Sequence, residues 1–163
     1  MAVLVLHEIF NDQARSEVEE AIRQAERSTS AEIRVHAEDR CNEDPLDRAA
    51  FIFAQLGMHD TALRNGVLIY VSLTDQKVAI IGDAGIHSHT EKNFWNEAIH
   101  AMTTLFREQK IIDGVIAGVK MCGNKLALHY PISHQDSNEL SNEVTLRSVH
   151  HKGRSKKLKG RQK

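Results

Sequence analysis

The residues with most chemical promise lie in and around "RNGVLIYVSLTDQKVAIIGDAGI", residues 64–86, two apolar runs that end on Gly82-Asp83-Ala84-Gly85. A carboxylate held between glycines is a hard oxygen donor beside backbone that can approach an ion or a phosphate closely. If the two runs form a hairpin and the earlier "AEIRVHAE" strand lies parallel to the first of them, then Glu32, Arg64, Asn65 and Asp83 gather at one end of a sheet. Two carboxylates, an amide oxygen and loop carbonyls suit Ca²⁺ or Mg²⁺ rather than zinc. Asp83, Glu32 and Asn65 are therefore the candidate metal ligands. The residues alone leave a plainer assignment open, in which Asp83 caps the loop, Asn65 makes a turn and Glu32 pairs with Arg64.

The opposite end of the same sheet collects Glu38, Asp39 and Asp75 near the acidic loop Glu43-Asp44. Ligands of open α/β sheets favour the carboxyl ends of parallel strands, so a cation at either edge is open from sequence. Other signals are weaker. His87 and His89 lack a third ligand in sequence, and His150-His151 lies in a polar tail. No nucleophile elbow and no phosphate-binding G-x-x-x-x-G-K-[ST] loop is present, so no catalytic residue is identified. Trp95, spaced with Ile99 and Met102, reads as core.

The elements that must position these residues follow from periodicity. Asn11 or Asp12 caps a helix running to about Arg27, with Val18, Ala21, Ile22 and Ala25 on its apolar stripe. Ile33 and Val35 alternate with Glu32, Arg34 and His36, the pattern of a strand with one wetter face near a sheet edge. Pro45 opens a helix from about Leu46 to Leu56. Gly66 to Thr74 is apolar and β-branched enough for a central strand, Asp75-Gln76 is the expected two-residue turn, and Lys77 to Ile81 returns. Thr90 or a neighbour starts a helix to about Gln109, and a last helix spans about Ile112 to His129. Its small residues Gly114, Ala117, Gly118 and Cys122 predict close packing against a neighbour.

This order predicts one α/β domain over 1–131 with helices covering both faces of its sheet. Its mixed sheet contains a right-handed parallel βαβ unit and an antiparallel hairpin. Residues 132–163 read as a disordered tail. The tail from Asp136 onward carries eight Lys/Arg and three Asp/Glu, which leaves 13 against 19 in residues 1–135. An acidic body argues against nucleic acid binding through the core, while the basic tail keeps that question open. No run approaches the ~18 apolar residues of a membrane helix, and the opening "MAVLVLHEIF", without a basic start or a small-residue cleavage site, does not read as a signal peptide. Cys41 and Cys122 without metal spacing predict free thiols in a reducing, cytoplasmic compartment.

With these residues in hand, the chain resembles the TPM domain family, which includes the thylakoid-lumen acid phosphatase and many bacterial proteins. The resemblance rests on "TSAEIRVHAE" (29–38), the 64–86 stretch, "FW" at 94–95 and a glycine-containing helix ending in "HYP" at 129–131. Ala31 stands where the family pattern leads one to expect glycine. The resemblance implies a three-layer α/β/α sandwich of Rossmann-like character, with divalent-cation binding, notably calcium, and phosphatase activity in parts of the family. The matching positions are Glu32, Arg64-Asn65-Gly66 and Gly82-Asp83-Ala84-Gly85. Lacking the flanking signal and membrane segments of many members, this chain is expected to be a short soluble one.

Two functions are then expected to compete. One is a cation-binding interaction or maintenance module for a protein partner, which the lack of a catalytic set favours. The other is a metal-assisted phosphomonoesterase, with an ion on Asp83 and Glu32, Arg64 against the phosphoryl charge, and a bound water as nucleophile.

Overall fold

The structure is a computed structural model that describes residues 5–87, 93–132 and 139–148. A short helix α1 (Leu6–Ile9) leads into α2 (Asp12–Glu26), whose N-cap Asn11 accepts a hydrogen bond from the Ala14 amide at 2.9 Å. Strand β1 (Glu32–Glu38) follows, then α3 (Pro45–Gln55), capped by Asp44 with Pro45 in the first turn. Strands β2 (Gly66–Ser72) and β3 (Lys77–Gly82) form the hairpin. The chain continues through α4 (Ala84–His87), α5 (Asn96–Arg107), α6 (Ile111–His129) and β4 (Thr145–Arg147).

The sheet order is β3-β2-β1-β4, with β1 parallel to both β2 and β4 and β3 antiparallel to β2. Alternation along the strands sends Ile33, Val35, Ala37, Val67, Ile69 and Val71 to one face. There they pack under Val18 and Ile22 of α2, Met102 and Phe106 of α5, and Val115, Val119 and Leu126 of α6. Leu68, Tyr70 and Ala79 point to the other face, beneath Ala49, Ile52 and Phe53 of α3. Three layers result, as the patterning predicts. The small residues of α6 do what their spacing implies: a Cβ on Gly114 would meet the Phe106 ring at 2.7 Å, and one on Gly118 would run into the Met102 side chain.

Three expectations change. The hairpin connection is four residues, 73–76, since Ser72 pairs with Lys77; Gln76 takes a left-handed φ of 51° where a tighter turn would want glycine. β1 lies inside the sheet, because β4 pairs along its other side from His36 to Glu38. The tail expected from 132 is not uniformly without structure: residues 139–148 join the fold, with Leu140 and Val144 buried and the Val144 amide donating to Glu19. Three apolar residues among polar ones make no periodic signal, but adding one short strand to a ready edge requires little burial of its own. The predicted Thr90 cap, His89, His150-His151 and residues 149–163 lie outside the described residues.

Packing of the segment that leads into the last strand is directly measurable. Val144→Ala removes two buried methyl groups and is expected to lower stability by about 1–3 kcal/mol in urea unfolding; an unchanged midpoint would show that this segment does not pack.

Candidate functional site

At the amino edge the register places Glu32 opposite Gly66 and Gly82 opposite Val67. The Glu32 amide donates to Asn65 O at 3.0 Å and the Asp83 amide to Gly66 O at 2.8 Å. Glu32, Arg64, Asn65 and Asp83 do therefore gather at one end of the sheet. Their polar atoms, however, are largely engaged with other groups. Asp83 is buried and faces Arg64, whose Nε lies 2.7 Å from Oδ2 and whose Nη2 lies 2.8 Å from Oδ1. Its Oδ1 also meets the Ala84 amide at 2.8 Å and His59 Nδ1 at 3.0 Å. Burial raises the Asp83 carboxyl, but the hydrogen bonds from Arg64, the Ala84 amide and His59 outweigh it and hold the group below its ordinary range.

Glu32 accepts from the amides of Glu139 and Leu140, so it anchors the segment that leads into β4. Asn65 Nδ2 donates to Ser30 O, while its Oδ1 is buried with no hydrogen-bond partner among the described residues. The glycines have internal explanations. A Cβ on Gly85 would strike the backbone carbonyls of Leu63 and Arg64, and one on Gly82 would sit 2.6 Å from Ile86. The loop thus closes on the 63–65 turn, with the Gly85 amide donating to Arg64 O at 2.9 Å and Arg64 itself in a left-handed conformation, φ 50°.

Among the described residues, no group of three or more His, Cys, Asp or Glu comes together to hold a metal. Asp83 would have to exchange Arg64 for the ion, and Glu32 already holds two backbone amides. A divalent cation on Asp83, Glu32 and Asn65 therefore requires these bonds to rearrange, Arg64 leaving Asp83 first.

The carboxyl edge is built around Glu38, which has no exposed surface. Arg48 donates from Nε to Oε2 at 3.0 Å and from Nη2 to Oε1 at 2.6 Å; Tyr70 Oη donates to Oε2 at 2.7 Å. His36 Nε2 lies 3.2 Å from Oε1, and its Nδ1 lies 2.6 Å from Thr145 Oγ1 of β4. Burial pushes the Glu38 carboxyl up, yet the hydrogen bonds from His36, Arg48 and Tyr70 and the Arg48 charge bring it down to about 2. Burial and the neighbouring Glu38 push the Tyr70 phenol well up.

The other acids here also have internal partners. Asp39 accepts from Ser148 Oγ, Asp75 from Ser72 Oγ and the Cys41 amide, and Asp44 caps α3. Between them opens a cleft of about 200 Å³, lined by Glu38, Arg40, Cys41, Asn42, Glu43, Arg48 and Arg147. Sequence reasoning missed Arg48, His59 and Tyr70, which reach their partners only through tertiary contacts, and Arg147, which β4 brings to the cleft. It also missed Glu26, whose Oε2 accepts from the Ile33 amide at 2.8 Å.

A family model described as the TPM domain matches residues 3–125. The chain is 36% identical to the BA42 protein of the psychrophilic bacterium Bizionia argentinensis, with a TM-score of 0.77 over 83% of this chain and 93% of that one. The chain belongs to the TPM domain family. Two more distant structures share the fold of this TPM domain. The N-terminal domain of a P. gingivalis protein is 19% identical with a TM-score of 0.62, covering 82% of this chain and 84% of that one. The N-terminal domain of cg2496 from Corynebacterium glutamicum is 12% identical with a TM-score of 0.56, covering 82% and 78%. No curated protein matches the chain. Among the described residues, no helix of the TPM domain is long and apolar enough to cross a membrane.

Glu26 gives a pH test of the amino edge. Burial, opposed by the Ile33 amide and reinforced by the Glu32 charge, raises its carboxyl from 4.5 to about 7. The folded state therefore holds the proton more tightly than the unfolded state, and stability falls as pH rises from 4.5 through 7. Glu26→Gln removes that loss. The variant should exceed the parent at pH 8 by on the order of 1 kcal/mol, allowing for the partial exposure of the group. The gain should shrink toward pH 5; a gain independent of pH would mean that Glu26 titrates normally.

Proposed function

We propose that this TPM domain is a non-enzymatic interaction module that serves a protein partner in maintenance or assembly. The observation that carries the reading is the Arg64–Asp83 pair. The aspartate that sequence and resemblance single out is a clamp between two loops, with a guanidinium on both of its oxygens. Glu38 is engaged in the same way by Arg48 and Tyr70. A carboxylate held by a guanidinium is a poor general acid, because its proton is displaced to low pH. It is a poor metal ligand as well until the guanidinium leaves.

A second reading keeps Ca²⁺ or Mg²⁺ at the amino edge, and one observation favours it. Asn65 Oδ1 is a buried acceptor without a hydrogen-bond partner among the described residues, a group that an ion would satisfy. That reading requires Arg64 to swing away from Asp83.

Both readings meet the same pair of measurements. Metal-stripped protein and its Asp83→Asn variant are titrated with Ca²⁺ and Mg²⁺ while backbone amide shifts are followed, and each is assayed on p-nitrophenyl phosphate with the ions present. The module reading expects no turnover above the blank in either protein. Saturable shifts at 30–34, 63–67 and 82–87 that Asp83→Asn abolishes would establish the cation. Ion-dependent turnover lost in the same variant would make the protein a phosphatase and overturn the module.

A further inference from the structure

The cleft at the carboxyl edge has donors to spare. Of the three arginines that line it, Arg48 is taken up by Glu38, and the two cancel in charge. The guanidiniums of Arg40 and Arg147 have no hydrogen-bond or ion-pair partner among the described residues, and only Glu43 in the lining opposes them. The remaining acids of this edge point their oxygens at internal donors: Asp39 at Ser148, Asp75 at Ser72 and Cys41, Asp44 at the first turn of α3. What the cleft offers a visitor is therefore N–H groups and a surplus positive charge, although the chain around it is rich in acid. Its position is where parallel α/β sheets bind ligands, at the carboxyl ends of β1 and β4.

The rim adds an apolar surface. Phe51 of α3 is 46% exposed, and the Arg48 guanidinium lies over its ring at 5.2 Å from the centroid. A carboxylate seated between two arginine forks, next to an exposed aromatic ring, is the recognition pattern of a short segment that mixes acidic and apolar side chains.

We infer that the cleft lined by Arg40 and Arg147 binds a carboxylate of an acidic segment on a protein partner, with Phe51 receiving the apolar residue beside it. This deepens the interaction-module reading, on which it rests, by giving the partner a chemistry.

The test uses the full chain and a capped hexapeptide carrying two glutamates and a leucine, with the glutamine version of the same peptide as control. Amide shifts are expected at 38–43, 48–51 and 147 with the acidic peptide and not with the control. They should weaken as salt is raised. Arg40→Gln together with Arg147→Gln should weaken binding at least about ten-fold while leaving amide positions away from the cleft unchanged. Equal binding of the two peptides, unaltered binding by the double variant, or no shift at millimolar peptide would overturn the inference. So would inorganic phosphate that moves the same amides at lower concentration than the peptide, because the ligand would then be free phosphate. Failure of peptide binding leaves the module reading standing, since it is the turnover assay that overturns that reading.

Discussion

A carboxylate with no exposed surface is stable only where enough donors replace the water it has lost. Glu38 meets that demand with two bonds from Arg48, one from Tyr70 and a close contact with His36. Those partners come from α3, from β2 and from β1 itself, and His36 passes the connection on to Thr145 of β4. The two strands beside β1 and the helix over that face are thereby fixed around one charge. Arg48 then holds one side of the cleft, and β4, seated against β1, supplies Arg147 to the other. The stabilisation is full at neutral pH and is lost as pH falls from 4.5 toward 2, because the folded-state carboxyl titrates below the unfolded one.

The amino edge repeats the device with a different geometry. Asp83 and Arg64 join the end of β3 to the turn before β2, while Glu32 reaches across to the backbone at 139–140. The glycines of the loop permit backbone to approach backbone, which is what brings Asp83 under Arg64. A buried ion pair contributes less to net stability than to which arrangement is selected. Here Arg48 and Glu38 tie α3 to β1, and the half-exposed Arg64 ties the turn before β2 to the buried Asp83 at the end of β3.

Much of this was legible beforehand. Period-two and period-3.6 patterns located β1 to β3 and helices α2, α3 and α6, and the hairpin argument correctly gathered Glu32, Asn65 and Asp83 at one edge. What sequence could not show is what each oxygen faces. Asp83 meets Arg64 across 19 positions, Glu38 meets Tyr70 across 32, and Glu32 meets Leu140 across 108. A partner that distant leaves no local pattern, so an engaged carboxylate and an available one look alike in sequence. β4 was missed for a related reason: Leu140 and Val144 in the segment leading into it join an existing core and so need no amphipathic run of their own.

The central claim is that Glu38 and Asp83, one at each edge, are ionised and each held by an internal guanidinium. Side-chain ¹³C carboxyl shifts of Glu38 and Asp83, followed from pH 7 to about pH 2, measure it most directly. The account predicts that Glu38 keeps its carboxylate shift through the ordinary glutamate range and titrates near 2, with Asp83 also displaced below the ordinary aspartate value. A Glu38 midpoint at 4.5 or above, as burial without its partners would produce, would contradict it.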